Sequence, residues 1–92
     1  MPAGAFDLDR AWQVHPRVSI RPEPFGALVY HFETRKLSFL KERTLLDVVN
    51  GLDGVRTARD VCRAAGVPEE QEARYGRALA ALAASSMLVA AA

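Results

Sequence analysis

The apolar residues of this chain keep two periods. Alternation by two runs from residue 18 to residue 41, and a helical spacing of three and four follows it. Val18 to Arg21 alternates apolar and polar, and reads as a first strand until Pro22-Glu23-Pro24-Phe25-Gly26 breaks the chain. A second strand follows, with Leu28, Tyr30 and Phe32 on one face and Ala27, Val29 and His31 on the other. Glu33, Thr34 and Arg35 make a tight turn into a third strand, Lys36 to Lys41, which sets Leu37 and Phe39 against Lys36, Ser38 and Leu40. This is a three-stranded antiparallel meander. Its aromatic Phe39 is expected in the core, with Lys36, Ser38 and Leu40 turned to solvent.

The remainder predicts three helices. Thr44 and Asp47 stand at capping-box spacing, so a helix is expected from about Leu45, burying Leu45, Val48, Val49 and Leu52 and ending at Asp53-Gly54. Thr57 and Asp60 repeat the cap for a short helix through Val61, Cys62 and Ala65 to Gly66. Pro68 opens the third, where Glu69 and Glu70 suit the positive end of the helix dipole. Tyr75, Leu79, Leu82 and Met87 mark its core-facing stripe. The fold class is therefore α+β, three strands followed by three helices. Residues 1–13 are expected to be a flexible segment, with Trp12 an anchor onto a domain over 14–89.

Ninety-two residues make one domain. A net charge of +1 lacks the basic excess of a dedicated nucleic-acid protein. Cys62, the lone cysteine, has no internal disulfide partner and fits a reducing cytoplasm. The first twelve residues carry acids early and do not read as a secretory signal. The alanine-rich stretch 78–92 falls short of the roughly 20 residues that span a bilayer and reads as a buried helix with a small-residue face.

Nothing in the residues points to catalysis. His15, His31 and Cys62 lie on three separate elements without paired ligand spacing, so a metal site is not expected. His31 reads as a partly exposed sheet residue and Cys62 as a buried thiol. No serine sits in a nucleophile elbow, and no glycine-rich phosphate loop is present. Thr57 to Leu82 has the outline of a helix-turn-helix, so a small DNA-binding regulator is an alternative. Against it, Glu69, Glu70 and Glu72 stand where phosphates would have to approach.

The third strand is the chemical feature that remains. It runs straight into a helix and is expected to lie at a sheet edge, where its unpaired main-chain groups invite another strand. Either Lys36 or Ser38 should turn its amide outward. Arg35, Lys36 and Lys41 serve as solubilising charge, as a guide for an acidic peptide, or as both. The same edge suits pairing with a second copy, and a purely structural subunit is a third reading.

The segments VSIRPEPFGALVYHF and TRKLSFLK, followed by Leu52-Asp53-Gly54 and Thr57, resemble the precursor-recognition chaperones of peptide-modifying pathways. These are the family of the small chaperone in pyrroloquinoline quinone biosynthesis; more narrowly, the segments are similar to the chaperones of the mycofactocin pathway, from about Val14 to Val89. The resemblance implies a winged-helix-like fold and a non-catalytic role without a cofactor. It implies binding of a ribosomally made precursor peptide and its presentation to a radical S-adenosylmethionine maturase, with no nucleic acid or membrane involved. Carried onto this chain, the peptide would add as a strand beside Arg35, Lys36, Leu37, Ser38, Phe39, Leu40 and Lys41. Its facing wall on the third helix would be drawn from Tyr75, Gly76, Leu79, Ala80 and Ala83.

Overall fold

Main-chain pairing brings together segments that share no side-chain pattern. In a computed structural model, which describes residues 6–91, the chain runs β1 (Ala11–Val14), β2 (Val18–Glu23), β3 (Gly26–His31), β4 (Leu37–Leu40), α1 (Arg43–Gly51), β5 (Asp53–Thr57), α2 (Ala58–Ala64), a 3-10 turn (Glu69–Gln71), α3 (Glu72–Ala84) and β6 (Leu88–Ala90). The fold is α+β. The expected meander is present as an antiparallel sheet of order β2-β3-β4, in continuous register from Val18↔His31 to Glu23↔Gly26 and from Ala27↔Leu40 to Tyr30↔Leu37.

A second antiparallel sheet, of order β5-β1-β6, was not expected. Its central strand lies at residues 11–14, across the expected boundary of the loose segment; Ala11 and Gln13 pair with β5, and Trp12, Gln13 and Val14 with β6. Residues 1–5 of that segment lie outside the described residues. Trp12 packs against the core and stacks on Phe6 at 4.3 Å, while its indole N–H donates to the Asp7 carbonyl. Asp53-Gly54 therefore does not end a helix; α1 stops at Gly51, and Gly54, at φ 78°, lies where the β1–β5 register shifts.

Asp53 shapes that shift. Its Oδ1 accepts the Val55 and Arg56 N–H groups at 2.9 Å, which holds its carboxyl down to about 2. A carboxyl lowered by folding stabilises the native state above its unfolded value, near 4, and ceases to do so as pH falls through its folded value. The stability gap between the parent and Asp53→Ala is thus expected to be constant above about pH 4 and to close toward pH 2. Urea titrations across that range measure it, and a gap that does not change with pH would refute the assignment.

The helix boundaries divide between cap and context. Thr57 caps α2 as expected, its hydroxyl accepting the Asp60 N–H at 3.1 Å. The Thr44–Asp47 box does not form, because α1 begins earlier, with Glu42 as its N-cap in an extended conformation. Pro68 leads into the 3-10 turn, and the α-helix proper starts at Glu72.

One core lies between the helices and the inner face of β2-β3-β4. Ala27, Val29 and Leu40 from the sheet meet Leu46, Val48 and Val49 of α1, Val61 and Cys62 of α2, and Tyr75, Leu79 and Leu82 of α3. Met87 joins them just beyond α3. Leu40 is therefore inside, not at the solvent face. Phe39 is 55% exposed and Leu37 52% exposed, reversing the expectation for Phe39. The alternation itself was legible; the buried parity is set by α1 lying on the side to which Leu40 points.

Candidate interaction edge

β4 closes the sheet on one side with no further strand beside it among the described residues. The His31 N–H donates to the Lys36 carbonyl at 3.0 Å, so residues of Lys36 parity turn their main chain toward β3. Ser38 and Leu40 share that parity. Leu37 and Phe39 consequently direct both N–H and C=O away from the sheet. Neither Lys36 nor Ser38 offers the outward amide, contrary to expectation; the free donors belong to the two residues whose apolar side chains are also exposed.

Both ends of this edge are fixed. At the start, the buried His31 ring holds the turn, its Nδ1 accepting the N–H groups of Glu33 at 3.1 Å and Thr34 at 3.3 Å. Arg35 adopts φ 62° there, and the Lys36 N–H reaches Thr34 Oγ1. At the far end, Glu42 accepts a short hydrogen bond from the Tyr75 hydroxyl and pairs with Arg74 at 3.3 Å. These contacts hold the Glu42 carboxyl below the ordinary range, the Tyr75 bond contributing most. Burial, reinforced by the carboxylate, pushes the Tyr75 phenol up. The exit of β4 is thereby tied to the first turn of α3.

The helical candidates are placed differently. Tyr75, Gly76 and Leu79 are buried, and only Ala80 and Ala83 are half-exposed. Leu8 covers Gly76, close enough that a Cβ there would meet its side chain at 3.6 Å. The segment before β1 is pinned by Asp9, whose carboxylate accepts the Arg59 guanidinium at 2.7 Å, while Arg59 and Arg63 also close on the buried Glu72. Glu72 is thus an internal ion-pair partner. Only Glu69 and Glu70 of the three acids stand exposed at the start of the would-be recognition helix.

His31 is buried rather than partly exposed, and its ring lies 4.5 Å from that of His15, with Glu33 beside them. Cys62 is buried elsewhere, its thiol pushed up by burial. The trio has ligand types but the wrong proton arrangement. Both imidazoles use Nδ1 as acceptor, His15 from the Arg17 N–H and His31 from the turn amides, which puts the proton on Nε2. A cation at Nε2 would need that proton on Nδ1, facing N–H donors. The pair serves the two turns instead.

Sequence reasoning also missed the outer face of β2-β3-β4. Phe25, Phe32, Leu37 and Phe39 are each more than half exposed there, joined by half-buried Leu28 and Tyr30. Phe25 lies 6.4 Å from Phe39, and Tyr30 meets Phe32 edge-on at 5.3 Å. Their alternation was read correctly, and the exposed parity was not. The described residues enclose no pocket, and no helix among them is long and apolar enough to cross a membrane.

Residues 11–89 match the model of the Peptide chaperone MftB family. The chain is 60% identical over 87 residues to the Peptide chaperone MftB of Mycobacterium ulcerans (strain Agy99), covering 95% of this chain and 80% of that protein. It is 57% identical over 84 residues to that of Mycobacterium tuberculosis (strain ATCC 25618 / H37Rv), covering 91% and 77%, and 56% identical over 84 residues to that of Mycolicibacterium smegmatis (strain ATCC 700084 / mc(2)155), covering 91% and 82%. No solved structure matches the chain.

Proposed function

The chain belongs to the Peptide chaperone MftB family, and from that membership we propose that it binds a ribosomally made precursor peptide by strand addition along β4. It then presents the peptide to a radical S-adenosylmethionine maturase in cytoplasmic redox-cofactor (mycofactocin) biosynthesis. The carrying observation is the edge itself: Leu37 and Phe39 aim paired donors and acceptors outward from a strand held at both ends. A fixed edge lowers the ordering cost of binding, and main-chain bonds tolerate variation in peptide sequence. The chain contributes no catalytic group in this reading; the iron–sulfur chemistry belongs to the maturase.

Strand addition separates the amide of Phe39 from its ring. Phe39→Ala keeps the outward N–H, whereas Phe39→Pro removes it at an edge position where proline is tolerated. Calorimetric titration with the peptide encoded beside the gene is expected to give one-to-one binding. The proline variant should bind about ten-fold more weakly than the alanine variant. Equal affinities would take the peptide off this edge, and an absence of heat with the parent protein would remove the peptide-binding reading itself.

A further inference from the structure

An antiparallel sheet with helices on one face ordinarily presents polar side chains on the other. Here the outer face of β2-β3-β4 carries the rows Arg21–Leu28–Phe39 and Ser19–Tyr30–Leu37, with Phe25 and Phe32 in the turns at either end of β3. Contiguous exposed aromatics of this kind mark a surface that a second layer covers. By register Arg17, Arg21 and Lys41 share this face, with Arg35 in the β3–β4 turn, against Glu23, which pairs with Arg21 at 3.7 Å, and Glu33; the balance is basic on a chain whose net charge is only +1.

We propose that this outer face is the docking surface for the maturation enzyme, and that it receives an amphipathic helix of that enzyme with an apolar stripe flanked by carboxylates; the inference rests on the delivery role proposed above. Charge argues against a second copy as occupant, because two such faces would meet with like sign. Size argues for a helix. The outer strands lie about 10 Å apart, which matches a helix of about 10–12 Å diameter, and β3 runs about 20 Å, the length of about 13 helical residues. A single extended strand would leave most of the face uncovered. The peptide edge and this face meet at β4, where Leu37 and Phe39 give their main chain to one and their side chains to the other. One partner is thus set beside the other without competing for the same atoms.

The test compares two bindings on the full chain. Phe25→Asp combined with Phe32→Asp changes two turn side chains away from the outward amides of β4, and Val55→Asp, at an 82% exposed position on the other sheet, is the control. The double variant should keep its circular dichroism and peptide affinity while losing at least about ten-fold in affinity for the purified radical S-adenosylmethionine enzyme encoded beside the gene. The control should bind both as the parent does. Arg21→Glu should also weaken enzyme binding and flatten its salt dependence. Unchanged enzyme binding by the double variant overturns the inference and leaves the peptide reading intact. Equal loss of peptide and enzyme binding overturns it too, since the face would then serve the peptide. A parent dimer that the double variant dissociates assigns the face to a second copy. An enzyme that does not bind the parent chain removes the inference together with the delivery step.

Discussion

Gly26→Ala is expected to remove a large share of the stability of this domain at room temperature. A Cβ on Gly26 would lie 1.9 Å from the Leu40 carbonyl oxygen, 2.9 Å from its carbon and 3.1 Å from the Glu42 nitrogen. All three are main-chain atoms, so no rotamer relieves the overlap. The backbone at φ 154° is also one that residues with a Cβ rarely adopt. Relief requires β4 to move off β3 at the Ala27↔Leu40 pair, and Leu40 is one of the most deeply buried side chains. Loss of that packing with the clash should cost more than about 4 kcal/mol, a large share of the roughly 5–15 kcal/mol that holds a small domain together. Urea denaturation followed by circular dichroism measures it. A variant with the parent's midpoint would show that β3 and β4 do not approach as described. Since Leu40 directly follows the edge residues Leu37 and Phe39, peptide binding should weaken with the fold.

Leu79→Ala is expected to be the second large effect, and to act on stability rather than recognition. Leu79 has no exposed surface and packs among the buried residues of the sheet and helices. Truncation leaves a cavity, costing about 3 kcal/mol and lowering Tm by about 15 °C for a domain of this size. At a temperature where both proteins remain folded, peptide affinity should be unchanged, because a side chain inside the core offers the peptide nothing. Thermal unfolding and calorimetry read the two effects separately. Weakened peptide binding without loss of stability would instead place Leu79 on the wall of an opened cleft, as the resemblance implied.

The contrast between Leu79 and Phe39 shows how far the sequence carried. The helical spacing of Tyr75, Leu79 and Leu82 indicated a core stripe, and these residues are buried. For β4 the alternation separated Leu37 and Phe39 from Ser38 and Leu40 correctly. Assigning the buried set by side-chain size then placed Phe39 inside. Hydrophobicity is a weak guide where both faces of a strand carry apolar residues, because the packing partner decides which face is dry. The same limit hid the exposed apolar face: Leu28 and Tyr30 were grouped with Phe32, but only the position of α1 shows that this is the uncovered side.

By itself, the sequence determined what local chemistry controls. The two periods marked strand and helix, the stretch Pro22 to Gly26 marked the first turn, which is confined to Pro24 and Phe25 because β2 continues through Glu23, and Thr57 with Asp60 marked the start of α2; each depends on residues within a few positions of one another. Tertiary structure decided everything carried by the main chain or by distant partners. β1, β5 and β6 are three to five residues long and pair across more than thirty residues of chain through backbone groups that every residue possesses, so no side-chain pattern announces them. Glu42 became an acceptor for Tyr75 and Arg74 rather than an ordinary surface acid, and Glu72 an internal counter-ion for Arg59, because folding brought those partners within reach. The parity of the outward amides on β4 likewise follows from which residues bond to β3, a choice made between strands and not within one.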